Sequence, residues 1–369
     1  MKKILIAGPS WVGDMVMAQS LFMALQAQAR ATETGLAIDV LAPAWSRPLL
    51  ERMPQVRNAI DLPFRHGELN LAGRYRLGHS LRKQRYNQVI VLPNSFKSAL
   101  TTLFVRSPLR TGWRGEMRGL LLNDVRRLNK GALPLMVQRF VALAYPPGAP
   151  LPDPLPWPHL VTDPQAVTAA VHELQLSLER PLLVICPGAE FGDSKQWPAQ
   201  HFAALSAQRI EAGWQVWIMG SARDSQVAEK ILTAIPEQRR EHVIDLTGRT
   251  SLAQAIDLMS LAQAVVSNDS GLMHVAAALQ RPIVAMYGST SADFTPPLAD
   301  NVQLLSTDIG CRPCFERTCP LGHKRCLVDL TPDIAQAALE LVLAAATDNQ
   351  RATPITVTPS GERNKPCEF

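Results

Sequence analysis

The chain has 369 residues, of which 47% are hydrophobic, so it is long enough for two domains with buried cores. No apolar run reaches the roughly 18 residues that a membrane-spanning helix needs, and the first residues read as a short strand, not as a signal peptide. The six cysteines without an export signal indicate thiols or metal ligands more than disulfides. We therefore expect a folded, soluble, cytoplasmic protein.

The net charge of +5 conceals a strong asymmetry along the chain. Residues 1–150 contain 21 Lys and Arg against 8 Asp and Glu, whereas the remainder contains 16 against 24. So basic a surface favours phosphate groups on nucleic acid, anionic lipid or a phosphorylated glycan, the alternative being a surface that is basic only for solubility. No helix-turn-helix, finger or RNA-binding signature is present, and aromatic residues do not alternate with the basic ones. The sequence therefore predicts no nucleic-acid partner.

Short apolar runs alternate with longer helical patterns along the whole chain, which predicts an α/β fold with a parallel, doubly wound sheet in each of two domains. The predicted strands are residues 3–7, 37–42, 88–92, 182–186, 215–219, 243–246, 264–267 and 282–287. A proline-rich stretch excludes regular structure between the halves. The predicted organisation is domain 1–150, linker 151–165, domain 166–345 and a polar tail 346–369, with ligands in a cleft between the two domains.

The first predicted strand is followed by a loop containing Gly8 and Gly13 and by a helical pattern that places Asp14 at a helix start. The spacing is not that of a dinucleotide-binding Gly-x-Gly-x-x-Gly fingerprint, which weighs against a dehydrogenase. A carboxylate at this position acts either as a helix cap or as a catalytic group. The residue type alone favours the cap.

The segment 268–274 leaves a buried strand and enters a run of small residues, so it predicts a strand, a tight turn and a helix start. Gly271 allows a ligand to approach the backbone, and the free N–H groups and helix dipole suit a diphosphate. This makes the segment a candidate nucleotide-sugar site. The alternative is that Asn268, Asp269 and Ser270 only cap the helix.

Four cysteines and one histidine lie within 16 residues near the end of the second domain. They are Cys311, Cys314, Cys319, His323 and Cys326. Their density permits a structural zinc site, but the spacing is not that of a standard finger or ribbon. Reduced thiols in a loop that helps cover the donor are the favoured interpretation.

Seven segments, in order, resemble motifs of the heptosyltransferases of lipopolysaccharide core synthesis, which are inverting glycosyltransferases with the two-domain GT-B fold. The segments are residues 8–14, 42–45, 92–98, 111–116, 186–192, 268–274 and 293–297. Together they span roughly residues 1–300, and seven linked motifs are far more specific than any one. The resemblance implies two Rossmann-like domains, with the acceptor on the first and the nucleotide sugar on the second.

The resemblance also implies roles for individual residues. Asp14 matches the family's proposed general base, and Lys195 matches a lysine that contacts the diphosphate and stabilises the leaving ADP. The implied donor-binding residues are Gly188, Asp224, Asp269, Ser270, Gly271, Leu272 and His274. The implied acceptor contacts are Lys97, Arg114 and Arg118, since arginine and lysine suit phosphate recognition.

The implied reaction moves L-glycero-D-manno-heptose from ADP-heptose to the first heptose of a phosphorylated, lipid-linked inner core, heptosyl-Kdo2-lipid A. The alternatives are transfer of the first heptose or of another core sugar, and, with less support, a glycan-binding protein without catalysis. No catalytic metal is expected, because no Asp-x-Asp pair is present, although magnesium bound to ADP is left open. A lipid-linked acceptor implies peripheral contact with the inner face of the cytoplasmic membrane.

Overall fold

The computed structural model describes residues 1–64 and 67–348. The chain divides into two compact units, and the second unit begins at Thr162. The elements of the first unit are β1 Lys2–Ala7, α1 Val12–Ala31, β2 Leu36–Ala42, α2 Arg47–Leu50, β3 Val56–Asp61, α3 Leu71–Leu81, β4 Gln88–Val91, α4 Phe96–Val105, β5 Leu109–Trp113, β6 Asp124–Arg126 and α5 Met136–Val141.

The second unit repeats the alternation of strands and helices. Its elements are α6 Pro164–Glu173, β7 Leu182–Cys186, α7 Ala199–Glu211, β8 Gln215–Ile218, α8 Ser225–Ala234, β9 Val243–Asp245, α9 Leu252–Met259, β10 Ala264–Asn268, α10 Gly271–Ala278, β11 Ile283–Met286, β12 Val302–Leu305, α11 Arg325–Val328 and α12 Pro332–Asp348. Among the helices of the described ranges, none is long and apolar enough to cross a membrane.

Each unit contains one six-stranded sheet, with orders β3-β2-β1-β4-β5-β6 and β12-β11-β10-β7-β8-β9. The paired strands are parallel in both sheets. Both orders are the doubly wound order in which the winding reverses beside the first strand. The reversal lies between β1 and β4 in one unit and between β7 and β10 in the other. Ligands of such sheets bind where the strands end at this reversal.

The central strands are buried on both faces, and this explains their continuous apolar sequences. All five residues of β7 are buried, as are residues 4–7 of β1. Gly8, directly after β1, has no room for a side chain: a Cβ there would lie 2.7 Å from the Met15 side chain and 3.2 Å from that of Val40. Glycine at this position lets α1 begin directly against the sheet, which fixes where its first turn points.

The eight predicted strands all form, with bounds that differ by no more than one residue. The sequence interpretation missed β3, β5, β6 and β12. Three of these are the outer strands of their sheets, and their partly exposed, mixed sequences lack the long apolar run of a central strand.

The proline-rich segment 151–165, which the sequence predicts to be a linker, makes specific hydrogen bonds with the first unit. The His159 backbone N–H donates to Oε1 of Gln19 in α1 at 2.9 Å, and Nε2 of Gln19 donates to the His159 carbonyl at 2.6 Å. The Val161 N–H donates to the Arg52 carbonyl at 2.9 Å. The segment up to Val161 is therefore part of the first unit. Residues 346–348 of the predicted tail continue α12, and residues 349–369 lie outside the described residues.

Candidate active site

Asp14 lies in the first turn of α1, directly after the strand end and the Gly8 loop. The helix begins at Val12 after an extended Trp11, and the Met15 N–H donates to the Trp11 carbonyl at 2.9 Å. Asp14 is partly exposed, whereas the next residues of the helix are buried. The structure thus places this carboxylate at the winding reversal of the first sheet, where it is accessible to a bound ligand.

Lys97, in the first turn of α4, and Arg114, in the loop after β5, lie at the same carboxyl edge of the first sheet. The Lys97 ammonium donates to the carbonyl of Gly67, and the Lys97 carbonyl accepts from the buried Arg74 guanidinium at 3.1 Å. Arg114 is exposed, and its backbone N–H donates to the Arg126 carbonyl at 2.7 Å. Both side chains therefore belong to the surface that follows the strands, as an acceptor contact requires.

Arg118 differs from the other two predicted acceptor residues because its side chain is fully buried. Its Nη1 donates to the Pro93 carbonyl, and its Nη2 lies against Gly112, where an added Cβ would be only 2.5 Å away. Burial lowers the pKa of this guanidinium, and Glu116 opposes that shift. In this conformation Arg118 holds the loop after β5 in place and presents no surface to an acceptor, so an acceptor contact would require the loop to open.

In the second unit, Lys195 and Asp269 form a largely buried ion pair. The Lys195 Nζ lies 2.6 Å from Oδ2 of Asp269, and their side chains are 14% and 5% exposed. The same oxygen accepts a 2.6 Å hydrogen bond from the Thr290 hydroxyl. Lys195 also lies over the Phe191 ring, 5.1 Å from its centre. The lysine that the sequence assigns to the diphosphate is therefore held beside the predicted donor-binding turn.

Asn268, at the end of β10, joins this turn to the loop after β7. Its side chain is fully buried; Oδ1 accepts from the Trp197 N–H at 3.0 Å, and Nδ2 donates to the Pro187 carbonyl at 2.7 Å. One amide side chain thus fixes both ends of the segment that carries Gly188 and Lys195. The backbone of that segment is set before any ligand binds.

The first turn of α10 contains the other predicted donor residues. Ser270 is extended at the N-cap position and makes no side-chain capping bond, while Gly271 and Leu272 are partly exposed. The partly exposed start of an eight-residue helix beside Lys195 is a suitable place for a phosphate group. His274 is buried one turn further on, and its pKa is lowered to about 4 by burial and by Lys195, against the effect of Asp269. It is therefore a neutral imidazole at pH 7.

Gly188 and Asp224 lie in direct contact. A Cβ on Gly188 would be 2.5 Å from the Asp224 carboxylate, which accepts from the Ser221 N–H and hydroxyl, each at 2.8 Å. The carboxylate is therefore locked against the loop after β7. This geometry suits a group that accepts hydrogen bonds from a ribose, provided that position 188 has no side chain.

The cysteine cluster lies beside this site. Its four cysteines and His323 line one small pocket, together with Ser194 and Ser289. Burial and the other three thiols raise the pKa of Cys326 to about 11. Among residues 1–64 and 67–348, no three His, Cys, Asp or Glu side chains form a group that could hold a metal ion. The choice between a zinc site and reduced thiols stays a prediction.

The sequence interpretation missed two residues of the site, Thr290 and Arg312. Thr290 follows β11, the neighbour of β10, and its carbonyl accepts from the Arg312 guanidinium at 3.1 Å. Arg312 also donates to the Gly288 carbonyl at 3.1 Å and so supports the loop from behind. The only local signal was the small, polar sequence after a buried strand, which is also typical of an ordinary loop.

Two doubly wound units, each with polar side chains at the winding reversal, are the architecture of the GT-B class of glycosyltransferases. A solved structure of ADP-heptose LPS heptosyltransferase II from Escherichia coli is similar to this chain, with a TM-score of 0.84 and 46% identity over 94% of this chain and 100% of that one. The GT-B prediction is confirmed.

The family model for glycosyltransferase family 9 (heptosyltransferase) matches residues 74–325. Lipopolysaccharide heptosyltransferase 2 of Escherichia coli strain K12 is 48% identical over 92% of this chain and 98% of its own length. Lipooligosaccharide heptosyltransferase 2 of Haemophilus influenzae is 47% identical over 92% of this chain and 99% of its own. The chain therefore belongs to glycosyltransferase family 9, as the seven motifs predicted.

Proposed function

We propose that this enzyme transfers L-glycero-D-manno-heptose from ADP-heptose to the first heptose of the lipopolysaccharide inner core. Identity of nearly one half over almost the full length of two heptosyltransferases 2 supports the reaction and the acceptor. The observation that carries the proposal in the structure is Lys195, paired with Asp269 beside the partly exposed start of α10. Its ammonium group and the N-terminus of α10 provide positive charge where a nucleoside diphosphate would leave.

The donor is proposed to bind to the second unit at the carboxyl ends of β7 and β10. The diphosphate would accept from the N–H groups of the α10 start and from Lys195, which would exchange part of its contact with Asp269 for phosphate oxygens. Because Asn268 already fixes the flanking backbone, little reorganisation accompanies this exchange. The ribose would lie near Asp224, and Gly188 would allow the close approach.

The chemical step we propose is a single displacement with inversion at heptose C1. The acceptor hydroxyl oxygen attacks C1, the bond from C1 to the diphosphate oxygen breaks, and ADP leaves with the electron pair. Asp14 takes the proton of the attacking hydroxyl, which is otherwise a poor nucleophile at neutral pH. General base catalysis of this kind contributes roughly 10² to 10⁴ in rate.

The acceptor is proposed to bind to the first unit, where the exposed Arg114 and the partly exposed Lys97 follow the sheet's carboxyl edge. Since the acceptor is lipid-linked, the enzyme would act in peripheral contact with the inner face of the cytoplasmic membrane. No resident metal is assigned to the reaction, because Lys195 and the α10 start provide the charge at the leaving group. Equal rates with and without a chelator would support this assignment, and a rate restored only by magnesium would contradict it.

The test is heptose transfer from ADP-heptose to two purified acceptors, Kdo2-lipid A and the same molecule carrying one heptose, with products identified by mass. We expect one heptose to be added only to the acceptor that already carries one. Addition to the heptose-free acceptor would instead assign transfer of the first heptose. If neither acceptor gains mass although ADP-heptose binds, the acceptor assignment is wrong.

A further inference from the structure

The segments that follow β3 and β5, including the start of α3, expose large apolar side chains at the carboxyl edge of the first sheet. We call Leu69, Leu71, Met117 and Leu120 the apolar rim. Met117 and Leu120 are 81% and 88% exposed, and the two leucines are exposed as well. Apolar groups gathered on one surface, unlike single scattered ones, indicate an interaction site.

The two parts of the apolar rim both contact the loop after β4 and the first turn of α4. On one side, the Lys97 ammonium donates to the Gly67 carbonyl. On the other, the Phe96 N–H donates to Oε2 of Glu116 at 2.9 Å, and the backbone of Gly115 packs against the Asn94 carbonyl. The loop after β4 and the first turn of α4 therefore contact both apolar segments.

The fold holds Met117 and Leu120 outward. The fully buried Arg118 lies between them in sequence and fastens this loop to the Pro93 carbonyl, and Leu121 is buried directly afterwards. Met117 itself has a left-handed backbone, with φ of 45°, which is uncommon for a residue other than glycine. A loop anchored in this way cannot easily turn its two largest apolar side chains inward.

The surroundings of the apolar rim are strongly basic. Residues 67–130 contain 13 Lys and Arg against 3 Asp and Glu. All three carboxylates accept local hydrogen bonds: Glu68 from Asn70, Glu116 from the Phe96 N–H, and Asp124 from Thr111 and Arg126. Exposed basic side chains remain, among them Arg127 and Lys130. Apolar side chains surrounded by basic ones match a bilayer with anionic headgroups, which attracts the charges and accepts the apolar groups.

We propose that the apolar rim is the surface through which the enzyme docks on an anionic phospholipid bilayer. Met117 and Leu120 enter the headgroup region, and the nearby basic side chains contact lipid phosphates. The purpose of this docking, delivery of a lipid-linked acceptor, rests on the proposed function. The docking itself is independent of catalysis.

The test is flotation of the full chain with vesicles of phosphatidylethanolamine containing phosphatidylglycerol, and with vesicles of phosphatidylcholine alone. The variant is Met117→Asn with Leu120→Gln, in which asparagine suits the left-handed backbone. The matched control is Leu178→Gln with Leu341→Gln, two exposed leucines of the second unit. A third variant, Arg127→Gln with Lys130→Gln, removes charge only. Thermal unfolding checks that each variant is folded.

We expect the wild type to bind the anionic vesicles and not the neutral ones. Compared with the wild type, binding should be at least tenfold weaker for the rim variant, weaker for the charge variant and unchanged for the control. Equal binding of the rim variant and the control would overturn the proposal, as would equal binding to neutral vesicles. A dimer that the rim variant abolishes, without any vesicle binding, would identify a second copy of the chain as the partner instead. Heptose transfer to a deacylated, water-soluble acceptor should be unchanged in the rim variant. If the wild type transfers no heptose to this acceptor, the proposed function is rejected, while the docking result is unaffected.

Discussion

Replacing Lys195 with methionine tests whether the buried ion pair stabilises the donor site and serves the reaction. In this variant the Asp269 carboxylate, which is only 5% exposed, keeps its hydrogen bond from the Thr290 hydroxyl but loses the ammonium group of Lys195. Breaking a buried pair costs about 3 to 5 kcal/mol, and because Lys195 is 14% exposed we expect the lower end, about 3 kcal/mol. The matched control is Lys324→Met, whose partner Asp193 lies 2.5 Å away but with side chains 33% and 47% exposed. An exposed pair contributes at most about 1 kcal/mol.

Urea unfolding of the three proteins gives these free energies directly, and release of ADP gives kcat/KM for each. Loss of the leaving-group cation should reduce kcat/KM by about 10² to 10³ in Lys195→Met, while Lys324→Met stays near the wild-type value. If the two variants lose equal stability, the Lys195 pair behaves as a surface pair and our account of its burial is wrong. If kcat/KM is unchanged in Lys195→Met, the lysine has no part in the departure of ADP.

Three further predictions concern other parts of the site. Asp14→Asn should reduce kcat by about 10² or more and leave the Kd of ADP-heptose, measured by calorimetry, unchanged; a loss confined to donor affinity would indicate a binding residue. Gly188→Ala should raise the KM for ADP-heptose at least tenfold, because its Cβ would meet the Asp224 carboxylate at 2.5 Å, whereas Gly310→Ala, where no atom lies within 4 Å, should change nothing. His274 has a pKa near 4 in the folded chain and 6.5 when unfolded. Because the unfolded state therefore takes up the proton first as the pH falls, protonation favours unfolding. The free energy of unfolding of the wild type should fall by about 3 kcal/mol relative to that of His274→Gln between pH 6.5 and pH 4. Parallel pH profiles would show that His274 is not buried as a neutral group.

The sequence predicts the inner strands better than the outer ones for a physical reason. A strand buried on both faces, such as β7, must be apolar throughout, and this pattern is visible without the structure. The outer strand β3 has only partly buried or exposed residues, so its sequence is not distinguishable from a loop. What specifies β3 is its pairing with β2, which no local pattern records.

The candidate site shows the same division between local and distant information. Lys195 and Asp269 were assigned from motifs within a few residues of each, and the structure brings them together. Thr290 lies 21 residues beyond the aspartate to which it donates, so the fold alone reveals the contact. Arg118 was expected to contact the acceptor because of its position beside a family motif and because arginine suits phosphate recognition. The loop after β5 instead buries it against Gly112.

The docking of residues 159–161 on the first unit determines where the protein can be divided for separate expression. A fragment ended at residue 150, the boundary suggested by the prolines, would lose the backbone partners of Gln19 and Arg52. One ended at Val161 keeps them. During synthesis, the first half can therefore complete its own contacts only after the ribosome has made residues 159–161.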